Sequence, residues 1–343
     1  MRLSSRLGYG DGFLKVAERT VKLEEAGVEQ FWVGEAYSFD AATRLGYLAA
    51  RTRRAQLGAG IFSIYSRTPA LLAQTAAGLD ELSNGRAILG LGASGPQVVE
   101  GFHGVVYDRP IQRTREIMEI CRMHWRREIV EYHGKAYTLP LPPDQGTGLG
   151  KALKLSTHPV RDRIPIYLAS LGERSVELTA EMAEGWLPIF YIPEQADAIW
   201  GNALRRGFAK RDPALGPLEI VAGGLLAIGE GLEAMRDRER PHLALYIGGM
   251  GARGKNFYND LACQYGYERE AAEIQDLYLS GRKAEAAALV PQSMLDSLSL
   301  IGTEAFVRER VEAHRAAGVT WLDVTPIGPD PYGDVRRLKE WIS

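Results

Sequence analysis

The chain has little of what marks the specialised protein classes. Its two cysteines, Cys121 and Cys263, lie far apart and in no metal-ligand spacing. That excludes a disulfide-stapled domain and fits a reduced, cytosolic protein. The six histidines form no HExxH pair or other ligand set, so no metal site is expected. Neither sign of charge dominates: 41 Lys and Arg stand against 43 Asp and Glu, a net charge of −2. Without a basic excess or polybasic run, neither nucleic acid nor anionic membrane is expected as a partner. No apolar run approaches a membrane span. The first residues, MRLSSRLGYG, lack the apolar core of a signal peptide. No low-complexity tract or interdomain linker interrupts the chain. What remains is ordinary: 343 residues, 45% hydrophobic and 24% charged. That is long for one domain, but α/β barrels with insertions reach it.

The most informative stretch is Leu57–Gly95, which reads as strand, loop, helix, strand and glycine loop. Leu57 to about Ile61 is a strand ending in a glycine-bearing loop. Thr68-Pro69 opens a helix, Thr68 as N-cap and Pro69 at the first helical position, where a missing N–H costs nothing. Leu72, Ala76, Leu79 and Leu82 recur at helical spacing. Asn84-Gly85 supplies the left-handed residue that ends it. The apolar run Ala87–Leu91 then runs into Gly92-Ala93-Ser94-Gly95, a loop able to bring backbone N–H groups close to a ligand.

The same grammar recurs along the chain. Leu14–Ala26 and Thr303–Ala317 are amphipathic helices stopped by Gly27 and Gly318, and strands follow both. Eight strands are predicted, at about 2–8, 29–34, 56–61, 86–91, 164–169, 185–190, 218–228 and 319–325. Their alternation with helices over the whole chain favours a closed (β/α)8 TIM barrel, one domain spanning 1–343, over a doubly wound open sheet. Two stretches break the rhythm. Tyr132–Tyr137 reads as a hairpin leading into a Pro- and Gly-rich loop. Residues 229–301 form a long, mostly helical insertion after the seventh strand, where insertions shape pockets.

These residues carry a resemblance. Gly58-Ala59-Gly60-Ile61, Tyr65-Ser66-Arg67-Thr68-Pro69, Leu79-Asp80-Glu81-Leu82-Ser83-Asn84-Gly85-Arg86 and Gly90-Leu91-Gly92-Ala93 are similar to segments of the bacterial luciferase-like superfamily. Tyr132-His133-Gly134-Lys135 and Pro165–Ser170 extend the match. Within that superfamily the chain resembles the branch that uses the deazaflavin coenzyme F420, that of methylenetetrahydromethanopterin reductase. The FMN-using monooxygenases tend to carry an Asn-rich segment where this chain has Gly90–Ser94. The resemblance implies an F420-dependent oxidoreductase acting on a small organic molecule, a luciferase-like barrel, and a homodimer joined through outer helices. Ala70–Leu82, apolar on more than one face, is the candidate dimer surface. It also implies a non-prolyl cis peptide at Gly60–Ile61 behind the deazaflavin, with Gly92, Ala93, Ser94 and Gly95 at the cofactor. Ser170-Leu171-Gly172-Glu173 would hold its phosphate at a helix start, where N–H groups and the helix dipole favour an anion.

Glu35 follows the second strand directly and is expected in the barrel mouth. There it serves either as the proton donor or acceptor of hydride transfer, or only as a hydrogen-bond acceptor for cofactor or backbone. Related sugar-phosphate dehydrogenases have an Asp-His pair here; Glu35-Ala36-Tyr37 has no histidine, which argues against glucose-6-phosphate oxidation. His103 and Tyr107 are further pocket candidates. Two rivals stand beside the F420 reading: an FMN-dependent monooxygenase, and a barrel that binds flavin or another ligand without turnover.

Overall fold

The structure, a computed structural model, describes residues 1–10 and 12–342. Eight parallel strands form the central sheet: β1 (Arg2–Leu7), β2 (Gln30–Val33), β3 (Gln56–Ala59), β4 (Ala87–Gly92), β5 (Ile166–Ala169), β6 (Gly185–Trp186), β7 (Glu219–Ile228) and β8 (Trp321–Pro326). Each pairs with the next, and β8 closes on β1 with Arg2 opposite Trp321. This is the expected (β/α)8 barrel rather than an open sheet.

The helices between strands are α1 (Phe13–Ala26), α2 (Ala41–Arg51), α3 (Pro69–Ser83), α4 (Pro110–Trp125), α5 (Glu173–Met182), α6 (Ala196–Phe208), α7 (Glu304–Ala316) and α8 (Pro331–Ile342). Local chemistry sets their ends. Thr68 accepts the Leu71 N–H at the start of α3, and Asn84 and Gly85 end it with φ of +56° and +79°. The segment that follows is structural. Buried Asp80 takes the Ala87 N–H and the Arg161 guanidinium, while Arg86 fans onto the carbonyls of Ala49, Thr52 and Ala55.

Two strands stop two or more residues short of their predicted carboxyl ends. β6 was expected to reach residue 190 but ends at Trp186, because Pro188 has no N–H for the ladder and Phe190 adopts φ +53°. β3 ends at Ala59. The Gly60–Ile61 bond is cis, and the chain resumes as Phe62–Ser63 beside Leu91 and Gly92 of β4. Leu300–Gly302 is an unforeseen strand on the far end of β7. The Tyr132–His133 and Thr138–Leu139 strands make the hairpin. Between 229 and 301 the backbone is mostly helical, and Leu243, Ile247, Leu261 and Ile274 from it share one apolar cluster with Trp186 and Ile220 of the barrel.

Alternation along each strand divides the core. Leu3, Phe31, Leu57, Leu89 and Leu168 face the helices. Trp32, Ile88, Tyr167, Val221 and Trp321 fill the barrel. Two of these rings fit because their neighbours lack side chains: a Cβ on Gly58 would strike the Trp32 ring, and one on Gly185 the Tyr167 ring. At the amino-terminal end Glu219 accepts from the Trp321 indole at 3.0 Å and from Tyr167 and Arg2.

Gly90 is the tightest of these positions, since a Cβ there would overlap the Ala59 carbonyl oxygen. Gly90→Ala should cost about 3 kcal/mol in urea unfolding by prising β3 from β4. Gly78→Ala, in the middle of α3 with no atom within 4 Å of the new Cβ, should instead stabilise by about 0.5–1 kcal/mol. A second prediction concerns acid. Burial lowers His314 on α7 to about 4. The unfolded chain takes that proton near pH 6.5, so the stability present above 6.5 is lost as the pH falls toward 4, by about 3 kcal/mol. Chemical denaturation across this window should show the loss, and His314→Gln should flatten it.

Candidate functional site

The carboxyl ends of the strands build the site. Gly92 pairs with Ala169 across β4 and β5. A Cβ on Gly92 would lie 3.0 Å from the Ile61 Cδ1 and 3.5 Å from the Ala169 Cβ. Ile61 and Ala169 in turn rest on the ring cluster inside the barrel. Gly60, Ile61, Gly92, Ala93 and Ser170 are thus brought to one floor. Beside it a crevice is lined by Ala93, Ile111, Thr114, Ser170, Ser175 and Leu178.

The loop before α5 is pinned from below. The Trp186 indole donates to the Ser170 carbonyl at 2.9 Å, and the Trp200 indole to the Leu171 carbonyl at 2.9 Å. Gly172 is the N-cap residue of α5 and offers no side chain, so no side chain caps the first N–H groups. Glu173 is turned away: its carboxylate pairs with Arg206 on the outside of the barrel. The Leu171 side chain packs toward the outer cluster, leaving its backbone at the loop. Ser94 takes φ +58°, and Gly95 lies by the Met250 carbonyl of the 229–301 segment. Tyr107 stacks near Tyr65 with ring centroids 5.1 Å apart, while the buried His103 Nε2 has no partner among the described residues.

Glu35 is not a free carboxylate in the mouth. Arg67 grips it with two parallel bonds of 2.6 and 2.7 Å, and Oε2 also takes the Ala41 N–H at the start of α2. Arg67 further reaches Asp40, the N-cap of α2, and lies over the Phe62 ring. This network ties the loop after β2 to the loop after β3. Among the described residues no three His, Cys, Asp or Glu side chains gather as a metal site.

The opposite side of the mouth was not anticipated. Arg6 from β1 pairs with buried Asp323 of β8 at 2.6 Å. Tyr246, Tyr258 and His242 from the 229–301 segment gather around Phe190. Burial, aided by neighbouring tyrosines, pushes the Tyr258 phenol up to about 12, so these hydroxyls stay neutral. The signals were present but faint: Arg6 falls on the inward parity of β1, and Asp323 interrupts the apolar run Trp321–Val324.

Arg67→Met should strand the buried Glu35 charge and cost about 3 kcal/mol, whereas adding Glu35→Gln should recover part of it. Urea unfolding of the two single variants and the double variant measures this. Additive losses would separate Glu35 from Arg67 energetically.

Comparison with known proteins agrees with this architecture. The model of the luciferase-like monooxygenase family matches residues 1–320. A putative coenzyme F420-dependent oxidoreductase of Mycobacterium tuberculosis is 40% identical, over 98% of this chain and 99% of its own. The 5,10-methylenetetrahydromethanopterin reductase of Archaeoglobus fulgidus is 28% identical over 94% and 92%. Among solved structures, the coenzyme F420-dependent tetrahydromethanopterin reductase from Methanopyrus kandleri superposes with a TM-score of 0.80, covering 98% of this chain and 96% of that one, at 22% identity. With the family model covering most of its length and a near full-length relative at 40% identity, the chain belongs to the luciferase-like monooxygenase family.

Proposed function

We propose that the chain is an F420-dependent oxidoreductase that moves a hydride between the deazaflavin and a small organic substrate. The observation that carries this reading is the joining of the Ile61–Gly92–Ala169 floor to the uncapped start of α5. A flat ring system fits the floor, and an anion fits the open N–H groups with the Ser170, Ser175 and Thr114 hydroxyls close by. The name of the 40% identical relative supports the choice of cofactor. When bound, F420 supplies a two-electron hydride carrier with carbon in place of the flavin N5, a poor partner for O2.

The residues divide the work. Gly60, Ile61 and Gly92 would back one face of the ring and leave the other to substrate, holding the reacting atoms in line. Backbone from Ala93 to Gly95 and from Ser170 to Glu173 would bind the cofactor's phosphate-bearing chain. Glu35 would act through Arg67, holding the loops after β2 and β3 in place rather than moving a proton. A homodimer through α3 belongs to the same proposal, with exposed Leu71 and Leu82 on that helix.

Fluorescence titration with oxidised F420 and with FMN tests the reading. F420 should bind at least tenfold more tightly. Ala93→Phe, which fills the crevice, should weaken F420 at least tenfold while leaving the melting temperature within a few degrees. Stoichiometric FMN with no F420 binding would replace this reading with the monooxygenase one.

A further inference from the structure

Strand alternation sends Arg2, Ser4 and Arg6 into the barrel. Arg2 is held at the amino-terminal end by Glu219. Arg6 stands at the opposite end, and 40% of its side chain is exposed although it points inward. An inward side chain at that end is exposed only where the mouth above it is open. Its Nε lies 2.6 Å from Asp323 Oδ2 in an ion pair, and Nη2 donates to the Pro188 carbonyl at 3.1 Å. These bonds stretch the guanidinium from β8 to the loop after β6, across the mouth. Together they occupy Nε and Nη2 and leave the Nη1 donors unused.

Asp323 is an expensive way to hold an arginine. It is buried, its Oδ1 has no hydrogen-bond partner, and burial pushes its carboxyl up against the pull of Arg6. Ion pairs set this deep are poor stabilisers compared with apolar packing. What the pair does provide is a half-exposed guanidinium held in place with donors to spare. Arginine in that state matches a carboxylate with two parallel bonds.

Within reach of its charge stands a wall of rings. Tyr246 packs edge-on against Tyr258 at 4.7 Å, against Phe190 at 5.3 Å and against His242 at 4.6 Å. Tyr246 lies in a π-helical turn, Leu245–Gly249, directly after the α-helix Arg240–Ala244; such turns concentrate at functional sites. Burial and the nearby Tyr9 and Tyr258 push its phenol up while Arg6 pulls it down, so wall and cation lie within electrostatic reach of each other.

We propose that Arg6, positioned by Asp323, anchors a carboxylate of the substrate, and that Phe190, Tyr246 and Tyr258 hold its flat conjugated body: the substrate is an aryl or enoyl carboxylate. The word substrate here rests on the oxidoreductase reading above; the anchor itself does not.

Isothermal titration of the full chain with trans-cinnamate and with its neutral analogue cinnamamide tests this. Cinnamate should bind, and cinnamamide at least tenfold more weakly. Arg6→Met should remove at least tenfold of the cinnamate affinity, and Arg6→Lys, which keeps the charge without the fork, should retain part of it. Tyr246→Ala should weaken both probes by similar factors. Melting curves establish that each variant folds. In the same variants, F420 titration should match the parent chain. Equal affinity for the two probes, no cinnamate binding, or cinnamate affinity unmoved in both Arg6 variants overturns the proposal. Loss of F420 binding in Arg6→Met also overturns it, by assigning the cation to the cofactor. If the parent chain ignores F420 yet binds cinnamate through Arg6, the cofactor reading falls and the anchor stands.

Discussion

Trp32 is the side chain on which the barrel is built. Its indole N–H is shared between the Ser4 hydroxyl and the Gln30 amide oxygen, each at 3.0 Å, and its ring lies 5.3 Å from that of Tyr167. So large a group fits the narrow interior only because three neighbours have no side chain. Built Cβ atoms on Gly58, Gly60 and Gly90 would all meet Trp32, the last two at 3.3 and 3.2 Å. The missing side chains let β3 and β4 approach closely, and that approach sets the height at which Ile61 and Gly92 meet. The floor of the candidate site is therefore the upper surface of the packing core. Packing density inside a protein leaves little slack, so the site inherits the rigidity of the barrel.

Much of this was legible in the sequence, and for a local reason. A βα unit announces itself through a cap, a periodic face and a left-handed stop within some twenty residues, as from Thr68 to Gly85. Eight such units admit few topologies, so the closed barrel followed. Less legible were features decided by distant partners. Residues 187–190 are apolar enough to read as strand; Pro188 and the turn at Phe190 lead the chain away toward the helices after β7. Leu300–Gly302 has only three residues and becomes a strand because β7 offers it an edge.

The candidate site divides along the same line. The glycine loops could be placed at strand ends because their meaning is in the backbone, and backbone demands leave local traces. Glu35 was placed correctly at a strand end, but its partner could not be read, since Arg67 looks like any loop arginine until β3 and β2 are side by side. Arg6 and Asp323 were missed for the opposite reason: each is an isolated charge in a strand, and only closure of β8 on β1 makes them a pair. Side-chain chemistry assembled by long-range pairing is invisible to spacing.

That division has a consequence for how such a barrel varies. The elements bearing the glycine loops, β3, β4 and β5, are tied to one another by backbone register and by the close approach of Gly90 to Ala59, and a change there disturbs the core. The other half of the mouth is built from side chains on β1 and β8 and from the 229–301 segment, whose rings meet Phe190 in the loop after the two-residue strand β6. Replacing Tyr246, Tyr258 or Arg6 alters no ladder bond. The structure thus sets a half whose geometry is fixed by the core, where the proposal above puts the cofactor, against a half whose side chains alter no ladder bond. On that proposal substrate identity belongs to the second half, which in this chain presents a tethered cation near a wall of aromatic rings.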